Sequence, residues 1–101
     1  YTTAKAGLIG LTRATAVDYG PHRIRANCIC PGGMGPVEQR DISPSQMELL
    51  LEAVTVGGGM LLPEPVCHVD DMAALIVFLC GPRTPTLTGA VIPVDAGFTA
   101  H

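Results

Sequence analysis

Tyr1 and Lys5 stand four residues apart at the start of a segment that reads as a helix, Tyr1-Thr2-Thr3-Ala4-Lys5. Four residues is close to one helical turn, so both side chains leave the same face. A phenol holds its proton to a pKa near 10, and it serves as an acid or base near neutral pH only if the phenolate is stabilised. A neighbouring ammonium does that. The same spacing is also found on many helix surfaces as an ordinary solvated pair, so its meaning depends on the elements around it.

Those elements alternate simply. From about Thr2 to Tyr19, Ala4, Leu8, Leu11 and Thr15 recur every three to four residues as one face of a helix, which Gly20-Pro21 ends. Ile24 to Ile29 reads as a short strand broken by Pro31-Gly32. Gly33, Gly35 and Pro36 then open an irregular stretch, in which Ser45 to Val56 can form a helix with Met47, Leu50, Leu51 and Val54 inward before Gly57-Gly58-Gly59 stops it. A second helix runs from about Asp70 to Cys80, with aspartates at its positive end and Gly81-Pro82 after its last turn. His68 beside Asp70 and Asp71 reads as the start of this helix. Its apolar residues go almost all the way round, which predicts burial on more than one side. Ala90 to Val94 reads as a strand. This order predicts an α/β fold with a parallel sheet covered by helices.

The Tyr1/Lys5 pair, the run Arg25-Ala26-Asn27-Cys28-Ile29-Cys30-Pro31-Gly32 and the run Gly89-Ala90-Val91-Ile92-Pro93-Val94-Asp95-Ala96-Gly97 together resemble the short-chain dehydrogenase/reductase family. The resemblance covers essentially the whole chain, in order, and only the family's C-terminal half. It implies the C-terminal half of a Rossmann-type doubly wound parallel sheet, with residues 1–101 as part of a single domain and a substrate-covering segment at about 33–63. The N-terminal dinucleotide-binding half would lie outside the chain. It also implies a nicotinamide cofactor, NAD or NADP, a small secondary alcohol or ketone as substrate, and a homodimer or homotetramer when complete.

By the same resemblance, Tyr1 exchanges a proton with the substrate oxygen, while Lys5 hydrogen-bonds the nicotinamide ribose and lowers the tyrosine pKa. Pro31 and Gly32 form the turn where backbone approaches the nicotinamide, and Gly33 and Met34 follow in the same loop. Met34, Met47, Met60, Leu61 and Leu62 fall in or near the substrate-covering segment, which hints at an apolar substrate. Asn27, inside the strand, is expected to hold backbone rather than ligand. Two departures stand out. Pro36 occupies the place of a usual threonine and offers neither a hydroxyl nor an N–H. Asp95-Ala96-Gly97 replaces Asp-Gly-Gly, and an alanine resists positive φ.

Composition agrees with a fragment. Of the 101 residues 48% are hydrophobic and only 15% are charged, with a mean hydropathy of +0.38. That is a thin polar coat for so small a body. Two strands alone would also leave unpaired sheet edges. On this reading the fragment by itself is inactive. Another reading is a non-catalytic remnant that associates with a full-length homologue through its apolar helix faces.

The net charge of −3, with six scattered Lys and Arg residues, argues against nucleic-acid binding. The longest apolar run, Met72 to Cys80, is nine residues, too short to span a membrane. Cys28, Cys30, Cys67 and Cys80 show no C-x-x-C spacing, and His22, His68 and His101 do not complete a ligand set, so no metal is expected. Cys28 and Cys30 share one face of a strand and cannot easily close on each other. The cysteines read as small buried hydrophobes in a reducing cytoplasm. Neither Gly33-Met34-Gly35 nor Gly57-Gly58-Gly59 has the spacing of a dinucleotide fingerprint or P-loop.

Overall fold

A computed structural model of the chain describes residues 1–35, 43–46, 48, 49, 52 and 67–100. Helix α1 spans Thr2–Tyr19, as the apolar spacing predicts. It continues into a 3-10 turn, Gly20–His22, with Pro21 near its start. Arg23 then takes a left-handed conformation at φ 61°, its N–H donating to the Gly20 carbonyl at 2.9 Å, and the Ile24 N–H reaches the Tyr19 carbonyl at 3.3 Å. This pair of bonds is a Schellman-type stop, built on an arginine where glycine is usual.

Strand β1 (Cys28–Pro31) pairs with β4 (Val91–Val94), and β2 (Met34–Gly35) pairs with β3 (Cys67–His68). The Cys28 N–H donates to the Ala90 carbonyl at 2.8 Å and the Gly32 N–H to that of Val94 at 2.9 Å. Donors and acceptors both advance by four residues, so β1 and β4 run parallel. The β2–β3 pair is also parallel, with Met34 opposite Cys67 and Gly35 opposite His68. Helix α2, Val69–Cys80, begins where β3 ends. The Asp71 carboxylate accepts the His68 N–H at 3.3 Å, which is the reach-back half of a capping box and fits the helix start read at His68.

The chain divides into two compact units, residues 1–30 with 73–93 and residues 31–72 with 94–101. In the first unit one side chain gathers the backbone. The Arg25 guanidinium donates to the Leu79 carbonyl (2.6 Å), the Gly81 carbonyl (3.3 Å), the Leu87 carbonyl (3.3 Å) and the Thr84 hydroxyl (3.1 Å). The carbonyls of Leu79 and Gly81 lie at the C-terminal end of α2, where helix carbonyls lack partners and a cation also faces the negative end of the helix dipole. Asn27 does what the sequence suggests. Its amide nitrogen donates to the Leu87 carbonyl at 2.9 Å and its oxygen accepts the Ala90 N–H at 3.1 Å.

Three expectations shift. The Ile24–Ile29 strand begins instead at Cys28, because the Ala26 N–H bonds to the Thr88 hydroxyl rather than to a strand backbone. In α1, Ile9, Thr12, Thr15 and Ala16 are covered to differing degrees, while Leu8 and Leu11 stay exposed at 48% and 62%. In α2, Met72 and Leu79 are buried, but Ile76, Val77 and Phe78 lie open. The residues described at 44–46, 48, 49 and 52 are helical, in keeping with the helix expected from Ser45. Met47, Leu50, Leu51, Val54, the Gly57–Gly59 run, Met60 to Leu62 and Pro36 lie outside the described residues.

Replacing Arg25 leaves several partly buried carbonyls without a donor. Hydrogen bonds from a charged group contribute about 1.5–3 kcal/mol, so Arg25→Ala should lower the unfolding free energy of the intact protein by about 2–4 kcal/mol. Arg25→Lys should recover only part of it, because an ammonium cannot fork between acceptors. Denaturant midpoints measure this, and an unchanged midpoint in Arg25→Ala would contradict it.

Candidate active site

Tyr1 is the N-cap of α1, and its carbonyl accepts the Lys5 N–H at 3.0 Å. The first helical turn therefore places the two side chains together, and the Lys5 ammonium lies 5.5 Å from the centre of the Tyr1 ring. That distance is within cation–π range. Tyr1 is 95% exposed, so its hydroxyl is open to a reacting partner. The ammonium and the positive end of α1 both add positive potential around the ring.

In the second unit, Pro31 closes β1 and the chain turns through Gly32 and Gly33 into Met34, which opens β2. Gly32 has a packing requirement of its own. A Cβ built on it would stand 2.9 Å from the Asp95 Cα and 3.0 Å from the Asp95 Cβ. Real Cβ atoms do not approach backbone so closely, so any side chain would push these segments apart. The Gly33 carbonyl accepts the Cys67 N–H at 2.7 Å, which fastens the turn to β3. Pro31, Gly33 and Met34 are exposed. The structure thus joins Tyr1 with Lys5 in one unit and Pro31 through Met34 in the other.

Asp95 organises the segment packed on Gly32. Its carboxylate accepts the Gly97 N–H at 3.1 Å, the Thr99 N–H at 3.0 Å and the Thr99 hydroxyl at 2.5 Å. The Thr99 hydroxyl bond is the main cause that holds the carboxyl below its ordinary value of 3.8; burial opposes it, and the backbone N–H groups of Thr99 and Gly97 add to the lowering. Within this loop Ala96 does adopt positive φ, 54°, and Gly97 follows at 85°. The left-handed conformation costs a non-glycine residue roughly 1–2 kcal/mol. The Asp95 bonds on either side fix the loop against that cost.

Arg25 is the residue that sequence reasoning passed over. It stands in the Arg25–Gly32 run that carries the family resemblance, and a cation two residues before Asn27, inside a stretch that reads as strand from the sequence, was the available signal. A groove in the first unit is lined by Arg25, Asn27, Ile29, Ile76, Leu79 and Cys80 together with Ala26. None of the expected site residues lines it. Among the described residues no group of three or more His, Cys, Asp or Glu could hold a metal, and no helix is long and apolar enough to cross a membrane.

Comparison with known proteins gives this geometry a family. Residues 1–99 match the family described as Enoyl-(Acyl carrier protein) reductase. The chain is 36% identical over 101 residues to an uncharacterised short-chain type dehydrogenase/reductase of Sinorhizobium fredii, covering 100% of this chain and 38% of that protein. A short chain dehydrogenase from Mycobacterium paratuberculosis, solved bound to NAD, superposes with a TM-score of 0.81 at 31% identity, over 100% of this chain and 38% of that one. A blue fluorescent protein from a metagenomic library, solved with NADPH, superposes at 0.75 and 35% identity, over 97% and 36%. The chain belongs to the short-chain dehydrogenase/reductase family, and its fold is the Rossmann-type α/β fold of these structures. It spans somewhat over a third of the length of the relatives it matches.

The packing at Gly32 predicts that Gly32→Ala destabilises the intact protein by about 1–3 kcal/mol, the usual cost of overpacking. Thermal unfolding without any ligand checks this, and an unshifted midpoint would mean that the turn has room to spare. The lowered Asp95 ionisation carries a sign. Its stabilising contribution is present above the ordinary carboxylate range and is lost as pH falls through the folded-state value. Asp95→Asn should therefore flatten the acid limb of a stability profile below about pH 4, near the ordinary aspartate value. A mutant acid limb as steep as the wild type's would contradict it.

Proposed function

We propose that this chain supplies the proton-transfer side of an NAD(P)-dependent oxidoreductase acting on a small secondary alcohol or ketone. Tyr1 is the general acid/base and Lys5 its partner. The observation that carries the reading is the Lys5 ammonium 5.5 Å from the Tyr1 ring on the first turn of α1, beside a tyrosine left open to solvent. The NAD and NADPH bound in the structural relatives support the choice of cofactor.

The residues suit such a cofactor. Lys5 and Tyr1 offer hydrogen-bond donors of the kind that ribose hydroxyls accept. Gly32 and Gly33 carry no side chain to hold off a flat ring, and Pro31 and Met34 flank them at the end of β1, where ligands of open α/β sheets bind. When bound, the nicotinamide supplies the hydride donor or acceptor. In the oxidative direction the Tyr1 oxygen takes the proton of the alcohol hydroxyl. In the reductive direction it returns a proton to the ketone oxygen. Lys5 holds positive charge beside the oxygen in both.

The chain is read as the C-terminal part of one larger domain, completed by a dinucleotide-binding half, with a substrate-covering segment at about 33–63. Exposed Leu11, Val17 and Val77, at 62%, 75% and 71%, support burial against further protein, including the subunits of a homodimer or homotetramer. The free cysteines suit a reducing cytoplasm. The same exposed residues favour a second reading, a non-catalytic remnant docked on a full-length homologue.

The test is turnover of the intact protein with a nicotinamide cofactor and a panel of secondary alcohols and ketones. Tyr1→Phe should lower kcat/KM about 10²- to 10⁴-fold, the range attributable to a general acid/base. Unchanged turnover in Tyr1→Phe would remove Tyr1 from the mechanism. A wild-type protein that turns over nothing but forms a stable complex with a homologue would favour the remnant.

A further inference from the structure

Cys28 and Cys30 take no part in the reading above, yet they are the one place among the described residues where two thiols meet. Both lie on β1, two residues apart and so on one face of the strand. Their sulfurs are 3.9 Å apart, both side chains are half-buried, and neither is in a disulfide. Cys67, by contrast, is buried and donates its thiol to the Val94 carbonyl at 2.7 Å, while Cys80 is exposed.

The separation decides what such a pair can hold. Residues two apart on a strand are about 6.6 Å apart at ~3.3 Å per residue, near the upper limit for a disulfide, which also needs Cβ atoms within about 4.5 Å. A direct S–S bond would therefore pinch the strand out of its ladder with β4. A single bridging atom would not. With bonds to sulfur of about 2.3 Å, sulfurs 3.9 Å apart subtend about 115° at the bridging atom. A linear centre would need them about 4.6 Å apart at the same bond length. The geometry asks for a bent centre, and among the described residues no third His, Cys, Asp or Glu joins the pair, which favours a centre satisfied by two sulfurs. A four-coordinate zinc is not such a centre.

We propose that Cys28 and Cys30 form a chelating dithiol site for a monosubstituted trivalent arsenical. The condensation balances without any oxidant. Two As–S bonds form, the arsenic–oxygen bond is lost, and the two thiol protons leave with that oxygen as water. Burial first, and then the hydrogen bond and charge of Cys28, push the Cys30 thiol above its usual value of 9.0. The Cys30 thiol that this condensation consumes therefore keeps its proton at neutral pH. Chelation also sets the site apart from Cys67 and Cys80, because closing the second bond is intramolecular and strengthens binding by about 10²–10⁴ over one thiol.

The probe is one equivalent of phenylarsine oxide added to the intact native protein, followed by maleimide labelling and peptide mapping. Cys28 and Cys30 should both become protected, and 2,3-dimercaptopropanol should release them where an equal concentration of monothiol does not. Cys28→Ser or Cys30→Ser should lower retention against monothiol about 10²-fold, and Cys80→Ser should leave it unchanged. If Cys28 and Cys30 stay open to maleimide in the wild-type protein, the proposal fails. Equal retention in Cys28→Ser or Cys30→Ser would also overturn it. The wild-type peptide map decides the question even if a serine variant does not fold.

Discussion

The Arg25 guanidinium is the interaction on which the first unit depends. It reaches carbonyls of Leu79, Gly81 and Leu87 and the hydroxyl of Thr84. These are the groups that the end of a helix and a non-repetitive loop leave unsatisfied. Thr84, buried, passes the connection on by donating to the Leu79 carbonyl at 3.2 Å. Asn27 continues the line to Leu87 and Ala90, and the next bond of the series is the first of the ladder, from Cys28 to Ala90. The register of β1 on β4 thus follows from two polar side chains placed just before the strand. That register fixes where β1 ends and hence where the Pro31–Gly32 turn falls in the sequence.

A constraint of a different kind holds the turn itself. Gly32 is there because the Asp95 backbone leaves no room for a Cβ, and Asp95 is held by the three donors of Gly97 and Thr99. Ala96 bears the local cost at φ 54°. A packing need at Gly32 is compatible with a binding role, since a turn that admits no side chain is also one that a flat ligand can approach. The pair Tyr1 and Lys5 obeys simpler physics. One turn of α1 brings an ammonium to an exposed phenol, and nothing else in the first unit is required for that contact.

Much of this was legible in the residues. Gly20-Pro21 marks the end of α1, and Gly81 after Cys80 marks the end of α2, because each breaks the helical pattern. The spacing of Tyr1 and Lys5 carried over directly into their contact. The start of β1 was not legible, since Ile24 to Asn27 look like strand but spend their bonds on side chains and loop carbonyls. The β2–β3 pair escaped for another reason. Two strands of two residues each have no periodicity to read, and their pairing joins Met34 to Cys67 across a long stretch of chain. Helix faces misled where an apolar pattern met no neighbour among the described residues, as with Leu8, Leu11 and Val77. The positive φ of Ala96 depends on the Asp95 bonds, which no propensity of alanine reveals.

The most direct measurement is a single-turnover experiment on the intact protein with an oxidised nicotinamide cofactor and a secondary alcohol deuterated at its carbinol carbon. Hydride transfer paired with a proton taken up by Tyr1 predicts deuterium on the nicotinamide ring and none in solvent. Cofactor that stays unlabelled while the alcohol is consumed, or deuterium released into water, would contradict it.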